Sequence, residues 1–274
     1  LVDNCEDRGD ALAIIDLENN GTGTGMYQPN TENNSNEKTR VDNQNIDTVR
    51  TKLEDREINS SYGCTYYPWV QVRDDNTGAI LKVPPSVVAL GAMSFSEAQQ
   101  APWFAPAGFT RGGLSNGAIG LNVVGVTHKL TSEDRDKLYE ANINPIASFP
   151  SEGIVVFGQK TLQVTPSALD RINVRRLLIL LKKEVSNIAA TTLFEQNQQA
   201  TWLSFSTRVK RFLTGVKSQL GLTDFKVVLD ETTTTPDLID RNIMYAKIFL
   251  KPARSIEFIA LDFIITDSGA SFED

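Results

Sequence analysis

One histidine and two cysteines are all that 274 residues offer for imidazole or thiolate ligation. His128 stands alone, and Cys5 and Cys64 are far apart, so ordinary zinc sites are excluded. Two isolated cysteines read as buried thiols of a reducing compartment rather than a disulfide framework. No apolar run is long enough for a membrane helix, and no secretory leader opens the chain. Cations are outnumbered: 27 basic residues face 34 acidic ones, for a net charge of −7. Generic nucleic-acid binding needs net cationic surface, so it is disfavoured. The chain begins with Leu1 rather than Met, so the reading expects a fragment that lacks its natural N-terminus and any arm there.

Catalytic patterns are equally thin. Gly113-Leu-Ser115-Asn-Gly117 fits the G-x-S-x-G string, but glycines flank it where a buried strand and a helix are required. No acidic residue lies between Ser115 and His128, so a Ser, Asp, His order cannot be completed downstream. Gly21-Thr-Gly-Thr-Gly25 follows an apolar run yet lacks the spacing and the lysine of a phosphate loop. Carboxylates are scattered. The sequence predicts no enzyme, no cofactor and no metal.

What is present is a core: 41% of residues are hydrophobic. The chain is organised around Asn173 to Leu220. Val174, Leu177, Leu178, Leu181, Val185 and Ile188 recur at helical spacing, and so do Trp202, Phe205, Val209, Phe212, Leu213, Val216 and Leu220. Glu195-Gln-Asn-Gln-Gln199 breaks both stripes. The spacing predicts two amphipathic helices, each with a cationic flank: Arg175, Arg176, Lys182 and Lys183, then Arg208, Lys210, Arg211 and Lys217. Such a flank serves equally as a solvated face. The stripes need a sheet to pack on.

Elsewhere the chain alternates short apolar runs with turns, predicting an α/β fold. Ala11 to Asp16, Tyr62 to Val72 and Gly153 to Gly158 read as core strands. Residues 19–60 are polar and read as a surface insertion, with one helical stretch over Asp47 to Glu57. A helix is expected from Ser86, and Thr131-Ser-Glu-Asp134 opens another with a capping-box pattern. Pro150 to Pro166 marks a boundary, giving units at 1–155 and 156–274. In the second unit, strands are expected at 225–230, 244–250 and 256–265. The last is apolar on both faces, through Ile256, Phe258, Ile259, Leu261, Phe263 and Ile265. It must be central, or become so by pairing with another chain.

Several strings occur in one order: Cys5-Glu-x-Arg-x-Asp10 to Asp16, Tyr66-Tyr-Pro-Trp-Val70, Val83-Pro-Pro-Ser86 and Ala105-Pro-Ala-Gly108. Ala141-Asn-Ile-Asn144, Gly153-Ile-Val-Val-Phe-Gly158 with Thr161-Leu162, and Asn173-Val-Arg-Arg176 follow. Together they resemble the contractile tail sheath proteins of myovirus-type bacteriophages, related to the sheaths of R-type pyocins and other contractile injection systems. The resemblance covers nearly all of the chain outside 19–60. It implies a subtilisin-like, non-catalytic α/β domain followed by an α+β C-terminal domain with a helix pair on a mainly antiparallel sheet. It implies a structural subunit in stacked six-fold rings around a tail tube, contracting by rigid-body rearrangement. Implied partners are neighbouring sheath copies, the tail tube protein, and the baseplate and tail terminator at the sheath ends, without nucleic acid or membrane insertion. The location would be the virion tail, assembled in the infected cell's cytoplasm. In that setting the cationic flanks would meet the tube or a neighbour, and 256–265 would pair with a neighbour's arm. Another virion structural protein, or an α/β enzyme with an unrecognised site, are the rival readings.

Overall fold

The computed structural model describes residues 1–17, 28–29, 46–114 and 120–257. Its first sheet begins with β1 (Ala13–Asp16), paired in parallel with β3 (Gly63–Tyr67). β3 pairs in parallel with β7 (Asn144–Phe149), and β7 pairs antiparallel with β8 (Gly153–Val156). Every residue of β3 is buried, as expected of a parallel strand covered on both faces. Helix α1 (Val2–Arg8) precedes this sheet and ends at Gly9, whose φ of 69° is left-handed and suits a residue without Cβ.

A second sheet holds β2 (Gln28–Pro29), β4 (Val70–Arg73), β5 (Ile80–Val83) and β6 (Asn122–Val126), in the order β2-β5-β4-β6. The single strand expected over Tyr62 to Val72 is therefore two strands serving two sheets. Pro68 lies at the break, where it has no N–H to give to a ladder. Helix α3 (Pro85–Gln99) buries Val88, Ala89, Ala92 and Met93 against both sheets. Asp16 ends β1 by accepting hydrogen bonds from the Ser86 backbone N at 2.9 Å and its Oγ at 2.6 Å. A carboxylate thus sits at the start of α3, where the helix dipole favours it.

Part of the region expected as an insertion, 19–60, packs into the body. From Ile46 the chain forms α2 (Ile46–Glu54), and Ile46, Val49 and Leu53 enter a core with Tyr67, Leu138 and Leu162. The polar stretch looked unable to bury itself because the surface that covers α2 comes from distant residues. The short helix α4 (Gly108–Arg111) follows the loop 101–107, in which Pro102 and Pro106 fix φ. Helix α5 (Ser132–Glu140) starts with a complete capping box: Asp134 N donates to Thr131 Oγ1, and Thr131 N to the Asp134 carboxylate.

The helix pair is α6 (Ile172–Ala190) and α7 (Gln199–Ser218). The sheet it needs is β9 (Leu222–Val228) paired antiparallel with β10 (Lys247–Pro252). Between β9 and β10 lies a short helix, α8 (Pro236–Asp240). Leu177, Leu181, Phe205, Val209, Leu213, Val216 and Leu222 form one buried cluster between helices and sheet. Ile256 and Glu257 lie in no strand, and the rest of the expected strand, from Phe258 to Ile265, lies outside the described residues.

Candidate interaction surfaces and the seam between the two parts

The eight cations of the helix pair separate into two groups. Those of α6 face the two-sheet part of the same chain. Arg175 is buried, its guanidinium 3.9 Å above the Tyr62 ring and donating to Ser61 Oγ. Arg176 donates to Glu97 at 2.8 Å and to the Met93 carbonyl at 3.3 Å. Lys182 reaches the Tyr62 hydroxyl at 3.2 Å. Lys183 helps Arg8, the larger influence, hold the Asp10 carboxyl below its usual range. Ile172 and Ile179 share this face, in the cores beneath β3 and α1. So α6 has two covered faces: Arg175 and Arg176 dock within the chain, while Lys182 and Lys183 stay exposed at the edge of that contact. Helical spacing alone showed one stripe, because a face built of arginine stems and Tyr62 does not register as apolar.

The cations of α7 differ. Lys210 and Arg211 are exposed. Arg208 donates to Thr191 Oγ1 at 2.6 Å and Thr192 Oγ1 at 3.2 Å, closing the corner between the helices. Lys217 pairs with Asp224 at 2.8 Å. Beside Arg208, the corner presents Leu193 and Phe194 to solvent.

Arg175 gives a testable contrast. Replacing a buried charge by an apolar group of similar reach is often near neutral. Arg175→Met is therefore expected to change stability by less than about 1 kcal/mol. Arg175→Ala, which also removes the stem over Tyr62, should cost about 2 kcal/mol. Urea denaturation of both variants decides; equal losses would mean that the charge, not the packing, holds this contact.

A cleft of about 660 Å³ opens between the two parts, lined by Trp103, Phe104, Arg135, Tyr139, Phe157, Asn173 and the segment 253–257. Phe157 of this lining clusters with Phe109 and Phe149 at centroid separations of 4.9 to 5.5 Å, and Arg135 lies over two of the rings. Trp103 Nε1 donates to the Gln219 carbonyl at 2.9 Å, tying the proline-fixed loop to the end of α7. On one wall, the Glu257 carboxylate is held by Arg171, Tyr139 and Gln159.

No constellation for catalysis emerges among the described residues. They contain no group of three His, Cys, Asp or Glu placed to hold a metal ion. None of their helices is long and apolar enough to cross a membrane. Burial pushes the Cys64 thiol up to about 12, which keeps it protonated and poorly nucleophilic. Ser115 and the 21–25 glycine string lie outside the described residues. Of the residues expected to pair between subunits, Ile256 is 83% exposed, while Phe258, Ile259, Leu261, Phe263 and Ile265 lie outside the described residues. Sequence reasoning missed Glu257 and its three holders, which are scattered polar residues with no spacing signal.

Residues 164–266 match the family described as the phage tail sheath C-terminal domain. The tail sheath protein of Vibrio phage KVP40 is 38% identical over 234 residues, covering 85% of this chain and 32% of that protein. That of Enterobacteria phage T4 is 37% identical over 192 residues, 70% of this chain and 28% of that protein. The chain thus spans about a third of the length of these relatives. The helical sheath of the anti-feeding prophage in its contracted state superposes with a TM-score of 0.64 at 27% identity, over 75% of this chain and 56% of that one. By sequence and by fold, then, this chain is similar to the contractile tail sheath proteins, and residues 164–266 match the family of their C-terminal domain.

Proposed function

We propose that this chain is part of a structural subunit of a contractile bacteriophage tail sheath. The observation that carries the reading is the 38% identity to a tail sheath protein across 85% of the chain. The subunit polymerises as stacked six-fold rings around the tail tube. Contraction then repacks rigid subunits into a lattice of lower energy and drives the tube through the host envelope. The work comes from interfaces rather than from a chemical reaction, so the chain is no enzyme. Residues 1–155 correspond to the subtilisin-like, non-catalytic unit and 156–274 to the C-terminal unit. Partners are neighbouring copies, the tube, and the baseplate and terminator at the two ends. The location is the virion tail, after assembly in the infected cell's cytoplasm.

Within this reading the cations that contact the tube or a neighbour belong to α7. Arg208, Lys210 and Arg211 meet acidic tube or sheath surface, while Arg175 and Arg176 serve the chain's own seam. Exposed pairs are worth about 0.2–1 kcal/mol each. Reversing all three to Glu replaces attraction by repulsion, and should weaken sheath–tube assembly about 10- to 100-fold at low salt. Co-sedimentation with tubes measures this; unchanged assembly removes the assignment. The function itself is tested by negative-stain microscopy of the natural full-length chain. Hollow tubes with six-fold rings support it, and discrete monomers or closed shells favour another virion structural role.

A further inference from the structure

We propose that Arg171, Tyr139 and Gln159 form a socket that anchors Glu257, a positioning residue, and so fixes the point at which a sheath subunit is linked through its C-terminal segment. The proposal rests on the sheath reading above and adds to it the residues that root the link.

Glu257 receives a two-pronged contact from Arg171: Nε to Oε1 at 2.6 Å and Nη2 to Oε2 at 2.9 Å. Tyr139 donates its hydroxyl to Oε2 at 2.9 Å, and Gln159 Nε2 donates to Oε1 at 3.1 Å. Four donors on one carboxylate, two of them from a guanidinium fork, make the strong class of hydrogen bond. The donors come from α5, from the segment before α6, and from the residue at which α6 begins. They stand 86 to 118 residues from Glu257 in sequence. Arg171 is itself steadied by Asp170 at 3.2 Å. This is a built carboxylate site, unlike a pair of loose surface chains, with side-chain exposures of 26% for Arg171 and 16% for Glu257.

The neighbouring residues are held less firmly. β10 ends at Pro252, and residues 253–257 belong to no helix or strand. Ala253 N reaches the Gly221 carbonyl at 3.2 Å, Asn173 reaches Ser255 Oγ at 3.3 Å, and Ile256 is open to solvent. Tension drawn on Glu257 from the residues that follow it is therefore met first by its carboxylate. From there it passes at once to α5 and α6, across the seam of the two parts. Without the clamp, the same tension would be taken up by straightening 253–257 and peeling β10 from β9.

The test uses the natural full-length chain with Glu257→Ala, and the exchange Glu257→Arg with Arg171→Glu. Monomer melting is read below the assembly concentration, and tube formation by sedimentation and microscopy. Glu257→Ala should leave the monomer midpoint within about 3 °C, in line with a small local loss. It should raise the concentration needed for tubes about tenfold, the loss of one strong polar contact per subunit. The exchange should recover part of that loss, because the buried Gln159 Oε1, which has no partner among the described residues, can accept from an arginine at position 257. Wild-type tubes beside equally stable Glu257→Ala tubes overturn the anchor alone. A melting point that falls in step with tube stability overturns it too, by reducing Glu257 to a fold contact. A wild-type chain that forms no tubes overturns the sheath reading and the anchor with it.

Discussion

Replacing Asn144 with alanine should cost about 3–6 kcal/mol, because three main-chain groups lose their partner, one buried and two part-buried, and a fully buried stranded group costs about 1–3 while a part-buried one costs less. Asn144 is fully buried at the start of β7. Its Nδ2 donates to the Thr65 carbonyl at 2.9 Å and the Lys160 carbonyl at 2.8 Å, and its Oδ1 accepts from Lys160 N at 2.6 Å. One amide side chain thus ties β3, β7 and the segment leading to α6. A loss of that size is a large share of a typical domain's stability of about 5–15 kcal/mol. Asn144→Asp should fare no better, since it keeps the shape but removes both donors and buries a charge. The packing also explains Gly158: a Cβ there would lie 2.9 Å from Asn144 Oδ1 and 2.9 Å from Pro145 Cδ. Equilibrium urea unfolding is the measurement, and a loss under 1 kcal/mol for Asn144→Ala would refute this account.

Leu213→Ala should cost about 3–5 kcal/mol, the range for removing a fully enclosed leucine that leaves a cavity. Leu213 has no exposed surface and sits among Leu177, Leu181, Val209 and Leu222. Helices α6 and α7 and strands β9 and β10 all border it, so the space cannot close by moving one side chain. Leu203→Ala on the same helix is the control. Leu203 is 67% exposed, and its loss should fall within about 0.5 kcal/mol. Because α6 also packs into the two-sheet part, the destabilised variant should still unfold in a single transition. A separate early transition, seen by Trp202 fluorescence, would show that the helix pair folds independently.

The sequence made the helix pair plain because its stripes run for many turns and pack on one sheet. The helix from Ser86 and the capping box at Thr131 were legible for a local reason: their starts are written in adjacent residues. Strands β5, β6 and β7 were not. β6 lies in a glycine-rich stretch, and β7 begins at an asparagine and a proline, residues that ordinarily end elements. Their strand state is imposed by neighbours rather than by propensity. The surface reading divided in the same way. Exposure of Lys210 and Arg211 follows from helical spacing, whereas the inward turn of Arg175 and Arg176 depends on Tyr62 and Glu97, far away in sequence.

The segment between β8 and α6 has a consequence for how this protein can be taken apart. Gln159, Thr161 and Leu162 are buried, Leu162 N donates to the Gly63 carbonyl, and Ile172 N donates to the Gln159 carbonyl. The match to the sheath C-terminal family begins at residue 164, inside this stitched stretch. A gene fragment starting there would strip Ile172, Arg175 and Ile179 of the surfaces that cover them, and should yield insoluble protein. The piece that recurs among relatives and the piece that folds are cut along different lines here.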